Sequence, residues 1–256
     1  MGEVAVKPIA VNPFKLSQPM GATLAFLGVK GCMPLMHGAQ GCASFTKVFF
    51  TRHFNEPIAI QTTAVNDITA VFDGGEFGIG TAVENITKKI TPSLIGLYST
   101  GLTEAKGDDL RGVASRVELP IAWVNTPDFE GGFESGWSES TKAMIEQLVR
   151  EADEIEPKKA VILPNVSMSA LDVERLKEFL YDMGLLRVYA LPDISTSLDG
   201  YLGEKQGQMS SGGIEMDDLR ALGNSEIVIS IGMSMAGCGE AMAAKNGKMK
   251  HLHFDS

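Results

Sequence analysis

The chain is predicted to fold as an α/β protein with two Rossmann-like, doubly wound parallel-sheet domains. Two observations carry this. Short apolar, β-prone runs at residues 32–36, 93–98, 121–125, 160–163, 188–191, 227–231 and 249–254 are separated by helix-compatible stretches, and strands alternating with helices form parallel βαβ units. The alternation also restarts after a charged stretch, READEIEPKK at residues 150–159, which reads as a linker. The expected division is an extended arm over residues 1–15, one α/β domain over 16–155 and a second over 156–256.

In chain order, Pro8 and Pro13 oppose regular structure in the arm. Ser17 reads as an N-cap with Pro19 in the first turn of a helix over 18–27, which Gly28 stops. A strand over 32–36 leads into a turn over 37–42 and a helix from about Ala43. Its Phe45, Val48, Phe49 and Arg52 fall at helical spacing, and the aromatics are expected in the core. Residues 58–65 are β-prone, 81–90 read as a helix and 93–98 as a buried strand. A loop over 99–107, a helix over 108–117, a strand over 121–125, a loop over 126–135 and a helix over 136–152 complete the first domain. The second runs strand 160–163, helix 169–183 with Leu171, Leu176, Phe179 and Leu180 inward, strand 188–191, loop 192–208, helix 214–222, strand 227–231, helix 238–245 and strand 249–254. A sheet built to this point has an unfinished edge, so a further C-terminal part or a partner is expected to cover it.

The chain has 256 residues, enough for a substantial core, with 44% hydrophobic and 21% charged residues. A formal net charge of −10 argues against nucleic acid or an anionic membrane as partner. The N-terminus lacks a signal-peptide apolar core, and no apolar run is long enough to span a membrane. Gly2 is not followed by Ser or Thr at the sixth position, where Val6 stands, so myristoylation is rejected. These readings predict a cytoplasmic protein.

The three cysteines, Cys32, Cys42 and Cys238, form neither a disulfide framework nor a CxxC pair. His251 and His253 share a face of the last strand, but two imidazoles are too few for zinc. The loop over 232–239 (GMSMAGCG) lacks the spacing of a dinucleotide or Walker loop and reads as glycine-turn packing rather than a phosphate site. The segment around Cys42, HGAQGC, is more informative. Gly38 and Gly41 permit a tight turn, and Cys42 ends it at a helix start, where the positive helix end favours a thiolate. Such a sulfur is a nucleophile or a soft-metal ligand; the alternative is a buried, inert thiol. In open α/β sheets the loops after strand C-termini carry function, and the loops at Thr100, Thr126 and Cys42 are all of this kind.

Several segments together resemble a known family. LSQPMGATLAFLGVKGCMPLMHGAQGCASF, RHFNEPIAIQTTAVND, LIGLYSTGLTEAKGDDL, VNTPDFEGGFESGW, PDISTSLDGYL and GGIEMDDLRALG cover nearly the whole chain. They are similar to nitrogenase component 1 subunits, and most of all to the branch that serves as scaffold for assembling the iron–molybdenum cofactor. Catalytic β-type members place three cysteines around an eight-iron cluster. The matching positions here are Ser17, Cys42 and Gly101, so two of the three thiols are missing.

The resemblance therefore implies a scaffold subunit that contributes Cys42 alone to a [4Fe–4S] cluster, which wants four thiolates. An E-type partner subunit supplies the rest, in an α2β2 assembly, and holds most of the cofactor precursor. The nitrogenase iron protein delivers electrons. Cys32 and Cys238 are expected to be structural. His37 and Gln40 are expected to hydrogen-bond cluster sulfide or to steady the turn, and Thr62, Thr63, Ser99 and Thr100 to line an interface or to end strands. The alternatives are a catalytic β-type subunit of a nitrogenase-like reductase, a nucleotide-binding module using residues 232–239, or a homomer in which copies of Cys42 meet. The resemblance also implies a further α/β domain in full-length family members, expected beyond the stretch read in these 256 residues.

Overall fold

The computed structural model describes residues 16–52, 58–66, 75–196, 209 and 211–255. The expected arm over 1–15, His53 and most of the 192–208 loop lie outside the described residues. Two four-stranded parallel sheets are present. The first comprises β1 (Cys32–His37), β2 (Gln61–Thr62), β3 (Leu94–Ser99) and β4 (Ile121–Val124) in the order β2-β1-β3-β4. The second comprises β5 (Glu156–Leu163), β6 (Arg187–Ala190), β7 (Ser225–Ile231) and β8 (Lys250–Phe254) in the order β6-β5-β7-β8. Both orders reverse direction once, between β1 and β3 and between β5 and β7. A crevice forms at such a switch point beyond the strand C-termini.

The helices are α1 (Gln18–Leu27), α2 (Gln40–Phe50), α3 (Gly75–Thr87), α4 (Gly101–Lys106), α5 (Leu110–Ala114), α6 (Phe133–Leu148), α7 (Ala170–Asp182), α8 (Met216–Arg220) and α9 (Ala236–Ala243). β1 and β3 are buried throughout, as apolar runs covered on both faces should be. One core cluster lies between the sheets and includes Phe26, Tyr98, Trp137, Val161, Leu163 and Cys238. Smaller clusters cover the outer faces, around Ile79 and Leu97 on the first sheet and around Val173 and Ile229 on the second.

α1 and α6 pack against each other at very short range. A Cβ on Gly21 would sit 2.0 Å from the Phe133 carbonyl oxygen, and one on Gly136 would sit 1.9 Å from that of Gln18. Only glycine permits backbones to approach so closely. Trp137 then donates from Nε1 to the Pro164 carbonyl at 2.9 Å, tying α6 to the end of β5.

Several sequence expectations are corrected. β2 is two residues long, not the 58–65 run, and α3 begins earlier than predicted because its glycines disguise the first turn. The 99–107 loop contains α4, and α5 is shorter than 108–117. α6 starts at Phe133 rather than Gly136, and β5 begins inside the presumed linker. The 214–222 helix is α8 followed by a 3-10 turn. On α7, Val173 and Leu180 face inward while Leu171 and Phe179 are exposed, because the buried stripe follows positions 173, 176 and 180. β8 is an edge strand with Leu252 and Phe254 exposed, in line with the expected uncovered edge.

Candidate functional site

The best-built site lies at the switch point of the first sheet. β1 ends at His37, and α2 starts at Gln40, so the turn is shorter than expected and Cys42 is the third residue of the helix. The turn is held from both sides. Thr100 and Thr103 donate to the His37 carbonyl at 3.2 and 2.9 Å, and Thr62 donates to that of Gly38 at 2.9 Å. Gly38 is required here, because a Cβ would lie 2.5 Å from Thr100 Cγ2.

His37 does not face Cys42. Its ring is fully buried, and Nε2 donates to Asp108 Oδ2 at 2.8 Å while Nδ1 accepts from Thr63 Oγ1 at 2.9 Å. Thr63 Oγ1 in turn accepts from the Gly38 amide at 3.2 Å. Burial holds His37 below the usual imidazole range, against the opposing pull of Asp108. His37, Thr62, Thr63 and Thr100 thus steady the turn, Gln40 is exposed, and Ser99 is buried against Thr126.

Cys42 is exposed, while Cys32 and Cys238 are buried. Cys238 Sγ donates to the Ser138 carbonyl at 3.2 Å, and burial pushes its thiol up to about 12. Cys32 is shifted further in the same direction by burial. Both are inert packing residues, as expected. Against the expected thiolate, burial and, after it, the nearby Asp128 charge push the Cys42 thiol up.

Cys42 opens into a recess of about 400 Å³ whose lining includes Leu16, Ser17, Phe45, Thr100 and Asp128. One exposed aromatic, Phe45, lines the recess as well. Phe45 is 61% exposed, which overturns its expected core position, and Val48 on the same helix is 68% exposed. α2 buries Ala43, Thr46 and Phe50 instead, and its other face carries Phe45 and Val48 outward. Phe129, on the loop after β4, and Leu102, on α4, are exposed as well.

Asp128 was missed among the residues of this site. Its only signal in the sequence was its place in the loop after β4. Burial pushes its carboxyl up, against the opposing pull of the Gly101 backbone and the Ser17 side chain. It therefore lies beside the two positions at which the resemblance had placed missing thiols.

The other candidates are accounted for by packing. Gly232 has φ of +87°, and a Cβ there would lie 2.3 Å from Asn165 Nδ2; a Cβ on Gly239 would lie 2.0 Å from His251 Nε2. The glycines of residues 232–239 are thus explained without a phosphate. His251 and His253 both reach Ser230 Oγ, at 2.7 and 2.8 Å. No group of three or more His, Cys, Asp or Glu side chains able to hold a metal occurs among the described residues.

The family model for nitrogenase component 1 type oxidoreductase matches residues 17–254. The chain belongs to the nitrogenase component 1 family. It is 38% identical over 252 residues to the nitrogenase iron-molybdenum cofactor biosynthesis protein NifN of Bradyrhizobium diazoefficiens, covering 94% of this chain and 53% of that protein. It is 40% identical over 240 residues to NifN of Mesorhizobium japonicum, covering 90% of this chain and 52% of that one. A solved structure of nitrogenase Cp1 at pH 6.5 superposes with a TM-score of 0.86 at 30% identity, covering 98% of this chain and 56% of the other. The chain spans about half the length of the curated relatives it matches. Family membership fits the two parallel sheets and the turn at their first switch point. No helix among the described residues is long and apolar enough to cross a membrane.

The donor set bears on the iron–sulfur group that this family implies. One exposed cysteine beside an open recess fits a single corner of a [4Fe–4S] cube, and the described residues supply no set of three further donors around it.

Proposed function

We propose that this chain is a scaffold subunit for assembly of the nitrogenase iron–molybdenum cofactor, and that Cys42 is its one ligand to a [4Fe–4S] cluster shared with an E-type partner subunit. One observation carries the reading: the sole exposed cysteine of the described residues lines an open recess together with the exposed Phe45. A lone thiol can serve a four-iron cluster only where another chain brings the remaining ligands, and an exposed aromatic beside it is what such a chain would cover. The similarity to proteins named for cofactor biosynthesis supports the same function.

Each residue then has a defined task. The His37–Asp108 pair and the surrounding threonines hold the turn rigid, so that Cys42 is presented at a fixed angle. Phe45, Leu102 and Phe129 exclude water once the partner docks. Cys42 loses its proton on metal binding, because the thiolate is the ligand. The cluster supplies one-electron transfer during maturation, fed by the nitrogenase iron protein, and the partner holds most of the cofactor precursor. The assembly is an α2β2 heterotetramer in the cytoplasm. A catalytic β-type role fits less well, since Ser17 and Gly101 stand where that role needs thiols.

The deciding experiment compares the complex carrying Cys42→Ala with its parent. The variant should still pair with the partner but lose about four irons per heterodimer, together with the cluster's absorbance and EPR signals. Unchanged iron and spectra would overturn the assignment.

A further inference from the structure

We propose that Gln147 is a side-chain guard on the free edge of β4, and that what it keeps out is β4 of a second copy of this chain. The inference is independent of the reading of Cys42.

The two edges of the first sheet differ. In the order β2-β1-β3-β4 the outer strands are β2 and β4. β2 is two residues long, too short to template a further strand. β4 is Ile-Ala-Trp-Val over residues 121–124, β-prone and without a charged side chain. Charged side chains are a usual means of keeping an edge from pairing with another chain, and β4 carries none.

β4 pairs with β3 on one side, with Trp123 opposite Leu97. The backbone of Trp123 is taken up on the other side. Its amide donates to Gln147 Oε1 at 3.0 Å, and Gln147 Nε2 donates to its carbonyl at 2.8 Å. A primary amide that both accepts and donates along one edge does what the peptide group of a neighbouring strand does. Gln147 reaches the edge from the last turn of α6, which packs against β4. Both bonds are exposed to solvent. A recess of about 320 Å³, whose lining includes Asn125, Glu139, Lys142 and Gln147, opens beside them. It leaves room for an incoming chain once the glutamine swings aside.

A second copy is the occupant this edge fits, because the edge is self-complementary. Two edges related by a two-fold axis run antiparallel. In an antiparallel hydrogen-bonded pair the facing residues exchange both N–H···O bonds. With the axis at Trp123, each Trp123 gives the other the donor and the acceptor that Gln147 now supplies.

The test compares the purified chain with Gln147→Ala and Gln147→Glu. Analytical ultracentrifugation over a concentration series follows association, and hydrogen–deuterium exchange follows the peptide containing Trp123. Gln147 is exposed, so neither change disturbs the core. At low concentration the Trp123 amide of Gln147→Ala should exchange about fivefold faster than in the parent, the factor expected from one lost hydrogen bond. At high concentration that variant should gain a dimer beyond any the parent forms, and protection of the Trp123 peptide should return. Gln147→Glu keeps an acceptor and puts a charge on the edge, so it should associate no more than the parent. Unchanged exchange in Gln147→Ala would overturn the guard. Three results would overturn the second copy as the excluded partner: faster exchange without added dimer, an added dimer that leaves the Trp123 peptide unprotected, or equal association of the two variants.

Discussion

Nε2 of His37 lies 2.8 Å from Oδ2 of Asp108, and both side chains are buried. The pair joins the last residue of β1 to the segment between α4 and α5, and Asp108 Oδ1 also accepts from the Gly75 amide at the start of α3. Removing the carboxyl therefore orphans two buried donors. Asp108→Ala should destabilise the chain by about 3 kcal/mol, and Asp108→Asn by roughly half as much, since an amide oxygen can still accept. Urea denaturation measures both.

The same imidazole predicts the pH response. His37 and His251 are both held below the ordinary value of 6.5, chiefly by burial. In the window below 6.5 the unfolded chain binds protons that the folded chain refuses, so stability is full above that value and declines as pH falls. Melting temperatures between pH 8 and pH 5 should fall on the acid side. The decline should be shallower in His37→Gln, even though that variant starts from lower stability.

Thiol accessibility separates the three cysteines. In the native single chain, maleimide should label Cys42 alone, and more slowly than a simple thiol because its pKa is raised. Cys32 and Cys238 should react only after denaturation. Mass spectrometry of labelled peptides gives the answer.

Phe45 tests the interaction surface. As an exposed residue it should tolerate Phe45→Glu with less than about 0.5 kcal/mol change in stability. Association with the partner should weaken by about tenfold or more, as expected when a buried aromatic contact is replaced by a charge. Equal binding by the variant in a pull-down titration would remove Phe45 from the interface.

Gly136 tests the packing of α1 on α6. A Cβ would lie 1.9 Å from the Gln18 carbonyl oxygen, and neither backbone can yield without moving α1 or α6. Gly136→Ala should cost about 3 kcal/mol, read by thermal or urea unfolding.

Much of this was legible in the chain. Cys32 and Cys238 were read as packing residues, and the turn that bears Cys42 was found from its glycines and its place after a strand. The errors have a common origin. Phe45, Leu171 and Phe179 were assigned to the core by hydrophobicity, yet each falls on the outer face of its helix. A helix of this length offers more than one apolar stripe, and only the sheet beneath it selects which is buried. The Cys42 thiolate was inferred from the helix end alone, without the burial of the sulfur and the Asp128 charge from a loop 86 positions further along the chain.

From the sequence by itself came the α/β class, the alternation of strands and helices, and the position of the reactive turn, because these depend on local periodicity and on the backbone limits of glycine. The convergence of Ser17, Cys42, Thr100 and Asp128 on one recess and the outward face of α2 were decided by the tertiary structure. They depend on distances and fields between residues remote in the chain, which no local pattern encodes.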